Sequence, residues 1–417
     1  LRIPEKAQAY EAGKELFGND PGNLENQYIL SQLAYAADLP LPAIEHIQRV
    51  IQQKPEERYY VLMAQYLQKR DGNNTAAFAL INEHIAQNPD WFSARLFLAR
   101  EYTAAQDWPN AKAQFLELLR IQPTNYPLNS SLGFVYAKLE QPAQAAASFA
   151  KYLKNTPASE RENEILIHLT LADAYSKKGD YAQALKWLNK APFATEVLDI
   201  QMKTFDVYMQ QKHYGKAREV LRKFAPQGEE ESVRITLGLS KLEEEEKKPA
   251  RAASLIEDAL KTWPDQPDLL YERAMVAERQ SDLPTVEQFL RRLIDVKPDN
   301  PHGYNALGYT LAENNIRLEE ALALIQKANA LAPEDAYILD SLGWVHFRLG
   351  NYEQAAETLE KAFALRQDEE IGLHLLELYL AQDRAKEAQA MLKLLKAKFP
   401  DSNQLTQFSR RIREIKL

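Results

Sequence analysis

The chain has 417 residues, of which 45% are hydrophobic and 26% are charged, so its composition is that of a folding protein and not that of a disordered chain. Its 51 Lys and Arg against 59 Asp and Glu give a net charge of −8, and no strongly basic block stands out, which argues against nucleic acid as a partner. Because the chain has no cysteine, disulfides, thiolate metal sites and cysteine nucleophiles are excluded.

Hydropathy predicts no membrane-spanning segment, since no apolar run approaches the ~20 residues that a spanning helix needs. The sequence begins at Leu1 instead of Met. A targeting segment upstream of Leu1 is therefore compatible with it.

The prolines recur at a fixed interval. Pro21, Pro55, Pro89, Pro123 and Pro157 are each 34 residues apart. Further along, Pro264 and Pro298 keep this step, Pro333 follows after 35 residues, and Pro400 follows after another 67. A fixed period in this range indicates a solenoid, in which each unit buries its apolar face against its neighbours.

One copy of the unit is clearest from Asn129 to Pro157, where Leu132-Gly133 is followed by Tyr136, then Ala145 and Phe149. This pattern resembles the tetratricopeptide repeat, a pair of helices A and B. The resemblance covers nearly the whole chain, and we align eleven units that start near residues 24, 58, 92, 126, 165, 198, 233, 267, 301, 336 and 369.

Two small positions and one proline explain how such a unit packs. A Gly or Ala at the eighth position lets helices A and B approach closely. It is found at Ala99, Gly133, Ala172, Ala274, Gly308 and Gly343. Alanine at the twentieth position plays the matching role on helix B, at Ala43, Ala77, Ala111, Ala145, Ala184, Ala217, Ala252, Ala321, Ala355 and Ala388. The periodic proline is expected to end helix B.

We therefore predict an all-α fold, a tetratricopeptide repeat solenoid (superhelix) of about eleven helix-turn-helix repeats. A capping helix occupies 1–23, repeats one to five 24–197, repeats six to eleven 198–401, and a second capping helix 402–417. Repeats five and six lack the periodic proline, so their joint is the predicted place for the array to divide into two rigid halves.

Catalytic and metal-binding motifs are missing from the sequence. None of the dinucleotide, P-loop, zincin or nucleophile-elbow patterns occurs. The seven histidines are scattered, with none paired at i+3 or i+4 as on a metal-binding helix. The run from Glu243 to Glu246 is interpreted as a solvated helix end. We expect no enzymatic activity, no metal and no cofactor.

The inner face of helix A is the expected binding surface, because its side chains are not consumed by helix packing. Transferring the inner-face positions of the resembled family predicts a C-terminal aromatic groove with polar anchors, formed by Tyr271, Met275, Asn305, Tyr309, Tyr337, Asp340, Trp344 and Phe347. A second aromatic stretch comprises Tyr28, Tyr35, Tyr59 and Tyr66. Aromatic side chains dominate binding hot spots, although these tyrosines could instead pack against the next helix A. Trp344 favours a true site, because an exposed Trp is costly unless something covers it.

Family members that grip a free carboxyl terminus carry Lys at the fifth and Asn at the ninth position. The corresponding pairs here are Tyr28 and Gln32, Leu62 and Tyr66, Leu96 and Arg100, and Ser130 and Phe134. A chaperone-tail clamp is therefore not expected.

A closer resemblance lies between Tyr304 and Phe363. The blocks NALGYTLA (Asn305 to Ala312) and LDSLGWVHFRLG (Leu339 to Gly350) resemble those of proteobacterial outer-membrane tetratricopeptide lipoproteins. That resemblance implies a periplasmic, lipid-anchored adaptor that binds and activates a carboxyl-terminal processing protease or recruits its cell-wall hydrolase substrates. The lipid-bearing Cys of such proteins is absent from this sequence.

The sequence thus predicts a non-catalytic scaffold with protein partners, which acts by holding them close together. One alternative is a cytosolic adaptor or assembly factor with unrelated protein partners. Another is a protein that handles glycans or lipids with its aromatic side chains. The number of partners and the oligomeric state are not predicted.

Overall fold

The structure, a computed structural model, describes residues 3–17, 20 and 22–414. Within them it contains 24 α-helices, one short 3-10 turn and no β-strand, so the predicted all-α fold is confirmed. Of the predicted capping segments, residues 1, 2, 18, 19, 21 and 415–417 lie outside the described residues. The chain forms two compact units, residues 1–211 and 212–417.

Unit 1 consists of a leading helix, five helix pairs and a final helix A. In chain order these are α1 (Ile3–Phe17), α2 (Leu24–Ala36) with α3 (Pro40–Gln53), α4 (Glu57–Asp71) with α5 (Thr75–Gln87), α6 (Phe92–Ala104) with α7 (Trp108–Ile121), α8 (Pro127–Lys138) with α9 (Pro142–Asn155), α10 (Glu164–Lys177) with α11 (Tyr181–Leu188), and α12 (Leu198–Gln210).

Unit 2 begins with a helix B and ends with a single helix after five pairs. In chain order these are α13 (Tyr214–Lys223), α14 (Glu229–Glu245) with α15 (Pro249–Thr262), α16 (Pro267–Glu278) with α17 (Leu283–Val296), α18 (Pro301–Glu313) with α19 (Leu318–Leu331), α20 (Ala336–Arg348) with α21 (Tyr352–Leu365), α22 (Glu369–Ala381) with α23 (Ala385–Lys398), and α24 (Asn403–Glu414). The boundary between the units falls inside the sixth repeat. Division of the array into two halves at the joint before Leu198 stays a prediction.

The periodic prolines mark the ends of helices B. In eight repeats the helix stops two residues before the proline, which is Pro55, Pro89, Pro123, Pro157, Pro264, Pro298, Pro333 or Pro400. The residue before a proline is pushed out of the α region, and the ring supplies no N–H to continue the helical ladder. One local rule thus sets the length of most repeats.

The small residues at the eighth position let paired helices touch. A Cβ atom on Gly308 would lie 2.5 Å from Ile325 Cγ1 and 3.0 Å from the carbonyl oxygen of Ala321, on the partner helix. A Cβ atom on Gly343 would likewise lie 2.5 Å from Leu359 Cγ. The ten alanines predicted at the twentieth position are all buried, so the predicted role of both positions is confirmed.

The acidic run at the end of α14 is not fully solvated, which corrects the sequence interpretation. Glu243 is only 2% exposed, and its carboxylate accepts a hydrogen bond from Arg218 Nε at 3.0 Å. Arg218 also pairs with Glu246. A buried carboxylate is stable here because a guanidinium from the preceding helix compensates its charge.

Candidate functional site

The helix A side chains of repeats eight to eleven surround a cleft of about 230 Å³ within unit 2. Six of the eight residues predicted for the C-terminal groove line it, namely Tyr271, Met275, Asn305, Tyr309, Tyr337 and Asp340. They come from α16, α18 and α20, where spacings of three and four residues place side chains on one helix face. The structure therefore brings these six predicted residues together.

Two acidic residues add to the wall of this cleft. Glu278 contributes from α16 and Glu370 from α22. His302 lines the cleft as well. Glu370 and His302 occupy the second position of their repeats, which is one of the inner-face positions of helix A, so the sequence pattern marks both. With Asp340, three carboxylates line the cleft, and its described lining residues include no Lys or Arg.

Hydrogen bonds fix the polar rim of the cleft. The hydroxyl of Tyr309 donates to Glu370 Oε1 at 2.9 Å, and Thr310 donates to Glu278 Oε1 at 3.0 Å. Burial, followed by the charge of Glu370, raises the pKa of Tyr309. Burial, followed by the charge of Glu278, raises the pKa of Tyr271. Both phenols therefore keep their protons at neutral pH.

Asn305 offers an unused acceptor. Its Oδ1 atom is buried, and no donor among the described residues bonds to it. An unsatisfied buried acceptor costs about 1–3 kcal/mol. Because this atom has almost no accessible surface, the acceptors available to a ligand are the carboxylates of Glu278, Asp340 and Glu370, which line the cleft. The cleft is therefore rich in acceptors and carries negative charge.

Asp340 is held from behind by a histidine of the next repeat. His374 Nδ1 lies 2.9 Å from Asp340 Oδ1 and 3.0 Å from Oδ2, and both residues are buried. Burial opposes the charged imidazolium, but the hydrogen bond and charge of Asp340, helped by Glu370 and Glu313, outweigh it and raise the pKa of His374. The carboxylate is thus fixed in orientation.

Trp344 lies behind the cleft and does not line it. An exposed indole that a partner would cover was expected from the sequence, and the structure corrects this expectation. It is 4% exposed, and its ring stacks on Phe347 with centroids 5.0 Å apart. Its Nε1 donates to Glu313 Oε2 at 2.8 Å. Neighbouring side chains already cover the indole of Trp344, whereas Phe347 is half-buried. Neither residue lines the cleft, and a partner contact at either one stays a prediction.

The N-terminal tyrosines pack against each other in pairs. Tyr59 and Tyr66 are buried, at 6% and 1% exposure. Tyr28 contacts Tyr59 edge to face at 5.6 Å, and Tyr35 stacks on Tyr66 at 4.7 Å. Each pair joins α2 to α4. The alternative interpretation, packing against the next helix A, therefore describes the buried Tyr59 and Tyr66, and a partner contact at the half-buried Tyr28 and Tyr35 stays a prediction.

Neither a metal site nor a membrane span is found in the described part of the chain. No group of three or more His, Asp or Glu residues there could hold a metal ion. None of its helices combines the length and the hydropathy required to cross a bilayer.

Family models described as the tetratricopeptide repeat match residues 166–191, the overlapping segments 202–267 and 237–285, and residues 349–412. These matches fall on predicted repeats and on helix pairs of the structure. The matched segments therefore carry tetratricopeptide repeats, in agreement with the repeat solenoid that the sequence pattern predicted.

Curated relatives match parts of the chain. The TPR repeat-containing protein PA4667 of Pseudomonas aeruginosa is 34% identical over 212 residues, which are 50% of this chain and 35% of that protein. The Cell division cycle protein 16 homolog of Homo sapiens is 26% identical over 147 residues, 32% of this chain and 24% of that protein. The matches thus span about a third or less of these relatives' length.

Solved structures also resemble the chain. A tetratricopeptide repeat protein of Thermus thermophilus, TTC0263, aligns with a TM-score of 0.38 and 27% identity, covering 42% of this chain and 95% of that one. The Cut9 and Hcn1 hetero-tetramer of the APC/C aligns with a TM-score of 0.44 and 12% identity, covering 98% and 93%.

Proposed function

We propose that this chain is a non-catalytic scaffold whose acidic, tyrosine-edged cleft in repeats eight to eleven holds a segment of a partner protein. Tetratricopeptide repeat proteins generally mediate protein–protein interactions. The observation that carries the proposal is the lining of the cleft, in which the carboxylates of Glu278, Asp340 and Glu370 lie beside Tyr271 and Tyr309 and no Lys or Arg is among the described lining residues.

The chemistry of the cleft selects the kind of segment. Asp340 is already paired with a histidine, but Glu278 and Glu370 have no Lys or Arg beside them among the described lining residues. Such carboxylates favour a ligand that brings donors, such as backbone N–H groups and a Lys or Arg side chain. Tyr271 and Tyr309 provide apolar area and ring faces for the stem and charge of such a side chain. The bound segment is therefore a basic stretch of polypeptide.

The partner we propose is a carboxyl-terminal processing protease or one of its cell-wall hydrolase substrates, bound in the periplasm by a protein anchored to the outer membrane through a lipid upstream of Leu1. The blocks Asn305 to Ala312 and Leu339 to Gly350, which resemble outer-membrane tetratricopeptide lipoproteins, contain the cleft residues Asn305, Tyr309 and Asp340. Holding enzyme and substrate on one body would raise their effective concentration.

Addition of the purified chain to such a protease tests this role. Hydrolysis of the protease's protein substrate should accelerate, while the chain alone cuts nothing. Tyr309→Ala should abolish the acceleration, whereas Tyr304→Ala, on the same helix but outside the cleft, should preserve it. If the protease is indifferent to the chain, the adaptor role is wrong, and a cytosolic adaptor or a glycan or lipid binder takes its place.

A further inference from the structure

A second groove crosses the helices A of repeats three to five, entirely within unit 1. It consists of two adjoining clefts of about 510 and 480 Å³, which share Phe134 and Lys138. The first is formed by α6, α7 and α8, and the second by α8 and α10. Arg100 and Phe134 occupy ninth positions at which a carboxylate clamp would carry Asn, and the sequence predicted no other role for them.

The floor of the groove is apolar and firmly packed. Phe115 and Val135 are buried, at 4% and 1% exposure, beneath the half-buried ring of Trp108. Phe134 is held edge to face against Phe149, with centroids 4.9 Å apart. Leu166 is 49% exposed at the far end. The accessible apolar surface of the two clefts, supplied by Trp108, Phe134 and Leu166, can bury large side chains of a ligand.

Positive charges stand along the edge of this floor. Arg100, Lys138 and Lys177 are exposed, one on each of the three helices, and no carboxylate among the described residues forms an ion pair with them. The lining carboxylate, Asp173, is itself paired with Lys203. In a chain of net charge −8, this edge thus presents three cations without an ion-pair partner among the described residues, although the charge of Lys177, after the hydrogen bond and charge of Lys178, helps to lower the pKa of Glu140.

We propose that this groove binds an acidic segment of a partner protein that carries large apolar side chains, at a site separate from the cleft of unit 2. Apolar side chains would occupy the floor while Asp and Glu side chains pair with the three cations. The cations are distributed over three successive helices, which suits an extended or helical polypeptide better than one compact anionic group. The two grooves therefore select segments of opposite charge, so that one chain can hold two different partners.

Binding of two fluorescent pools of short peptides tests the proposal on the full chain. In the first pool Leu, Phe or Trp alternates with Asp or Glu, and in the second the acidic residues are replaced by Lys or Arg. Arg100→Glu combined with Lys138→Glu should weaken binding of the acidic pool at least about tenfold. Leu166→Ser should also weaken it, through the loss of apolar contact.

Matched variants separate this site from general charge effects and from the unit 2 cleft. Lys151→Glu combined with Lys154→Glu makes the same charge change on exposed residues of α9 and should leave binding unchanged. Tyr309→Ala should also leave it unchanged. Equal loss in the α9 variant, or no loss in the groove variant, overturns the proposal.

Competition and sedimentation experiments distinguish the proposed acidic segment from other occupants of this groove. If sodium oleate or a single-stranded oligonucleotide displaces the acidic pool more effectively than unlabelled peptide, the groove is a site for lipid or nucleic acid, and the proposal fails. If Arg100→Glu with Lys138→Glu converts a dimer to a monomer in sedimentation, the occupant is a second copy of this chain, which also overturns it.

Discussion

The imidazole of His374 lies almost parallel to the indole of Trp344, with ring centroids 4.1 Å apart and planes 19° apart. The same imidazole holds Asp340 through Nδ1. Repeats ten and eleven are therefore joined by a stack and an ion pair directly behind the cleft, so its wall is formed before any ligand arrives.

Stability should depend on pH through this pair. The pKa of His374 is raised above its ordinary 6.5 despite burial, because Asp340, Glu370 and Glu313 favour the charged form. Protonated His374 thus stabilises the fold fully below about pH 6.5, and that contribution is lost as the pH rises through the folded-state pKa. Urea unfolding of wild type and His374→Gln should show a free-energy difference that shrinks as the pH rises above about 6.5.

Asp340→Asn provides the control, because it removes the charge that raises the pKa. This variant should lose on the order of 3 kcal/mol at low pH and show a flatter pH profile than wild type. A difference between wild type and His374→Gln that grows with pH would contradict the assigned ion pair.

Gly343→Ala should destabilise unit 2 by about 1–3 kcal/mol through overpacking. The new methyl group would lie 2.5 Å from Leu359 Cγ and 3.2 Å from Leu359 N, and the backbone atom cannot easily yield. Gly215→Ala is the matched control, since its Cβ atom meets nothing within 4 Å and its helical position favours Ala by about 0.5–1 kcal/mol. Equal unfolding free energies for the two variants would argue against the close helix approach.

Glu243→Gln should be far more damaging than its neighbour Glu245→Gln. Removing the charge at Glu243 leaves the largely buried guanidinium of Arg218 with Glu246 alone, at a cost of up to about 3 kcal/mol. Glu245 is exposed, so its substitution should change stability by less than about 0.5 kcal/mol. If both variants unfold at the same temperature, the run from Glu243 to Glu246 is solvated, as expected from the sequence, and the buried pair is wrong.

Local rules made most of the fold predictable. Pro298 follows the end of α17, and the absence of a side chain at Gly308 permits the contact with Ile325. Each effect follows from the type of one residue at one repeat position, so the sequence is enough to predict it. The exposure of Trp344 was not predictable in this way, since the ring that covers it belongs to His374 in the next repeat.

The groove of unit 1 was missed for a related reason. The predicted binding surface consisted of large aromatic residues on the inner face, whereas a groove also forms where side chains are small. Ala104, Ser131 and Ala137 leave the space that exposes the rings of Trp108 and Phe134. Small residues that lie between aromatic ones are therefore the sequence pattern that indicates a groove of this kind.

Binding of the basic peptide pool to cleft variants tests the central claim most directly. The account predicts that Asn305→Ala combined with Glu370→Gln weakens this binding at least about tenfold. Glu319→Gln combined with Glu353→Gln, which removes two exposed charges on helices B, should have no effect. Equal affinities for wild type and the cleft variant would contradict the assignment of the cleft as a partner site.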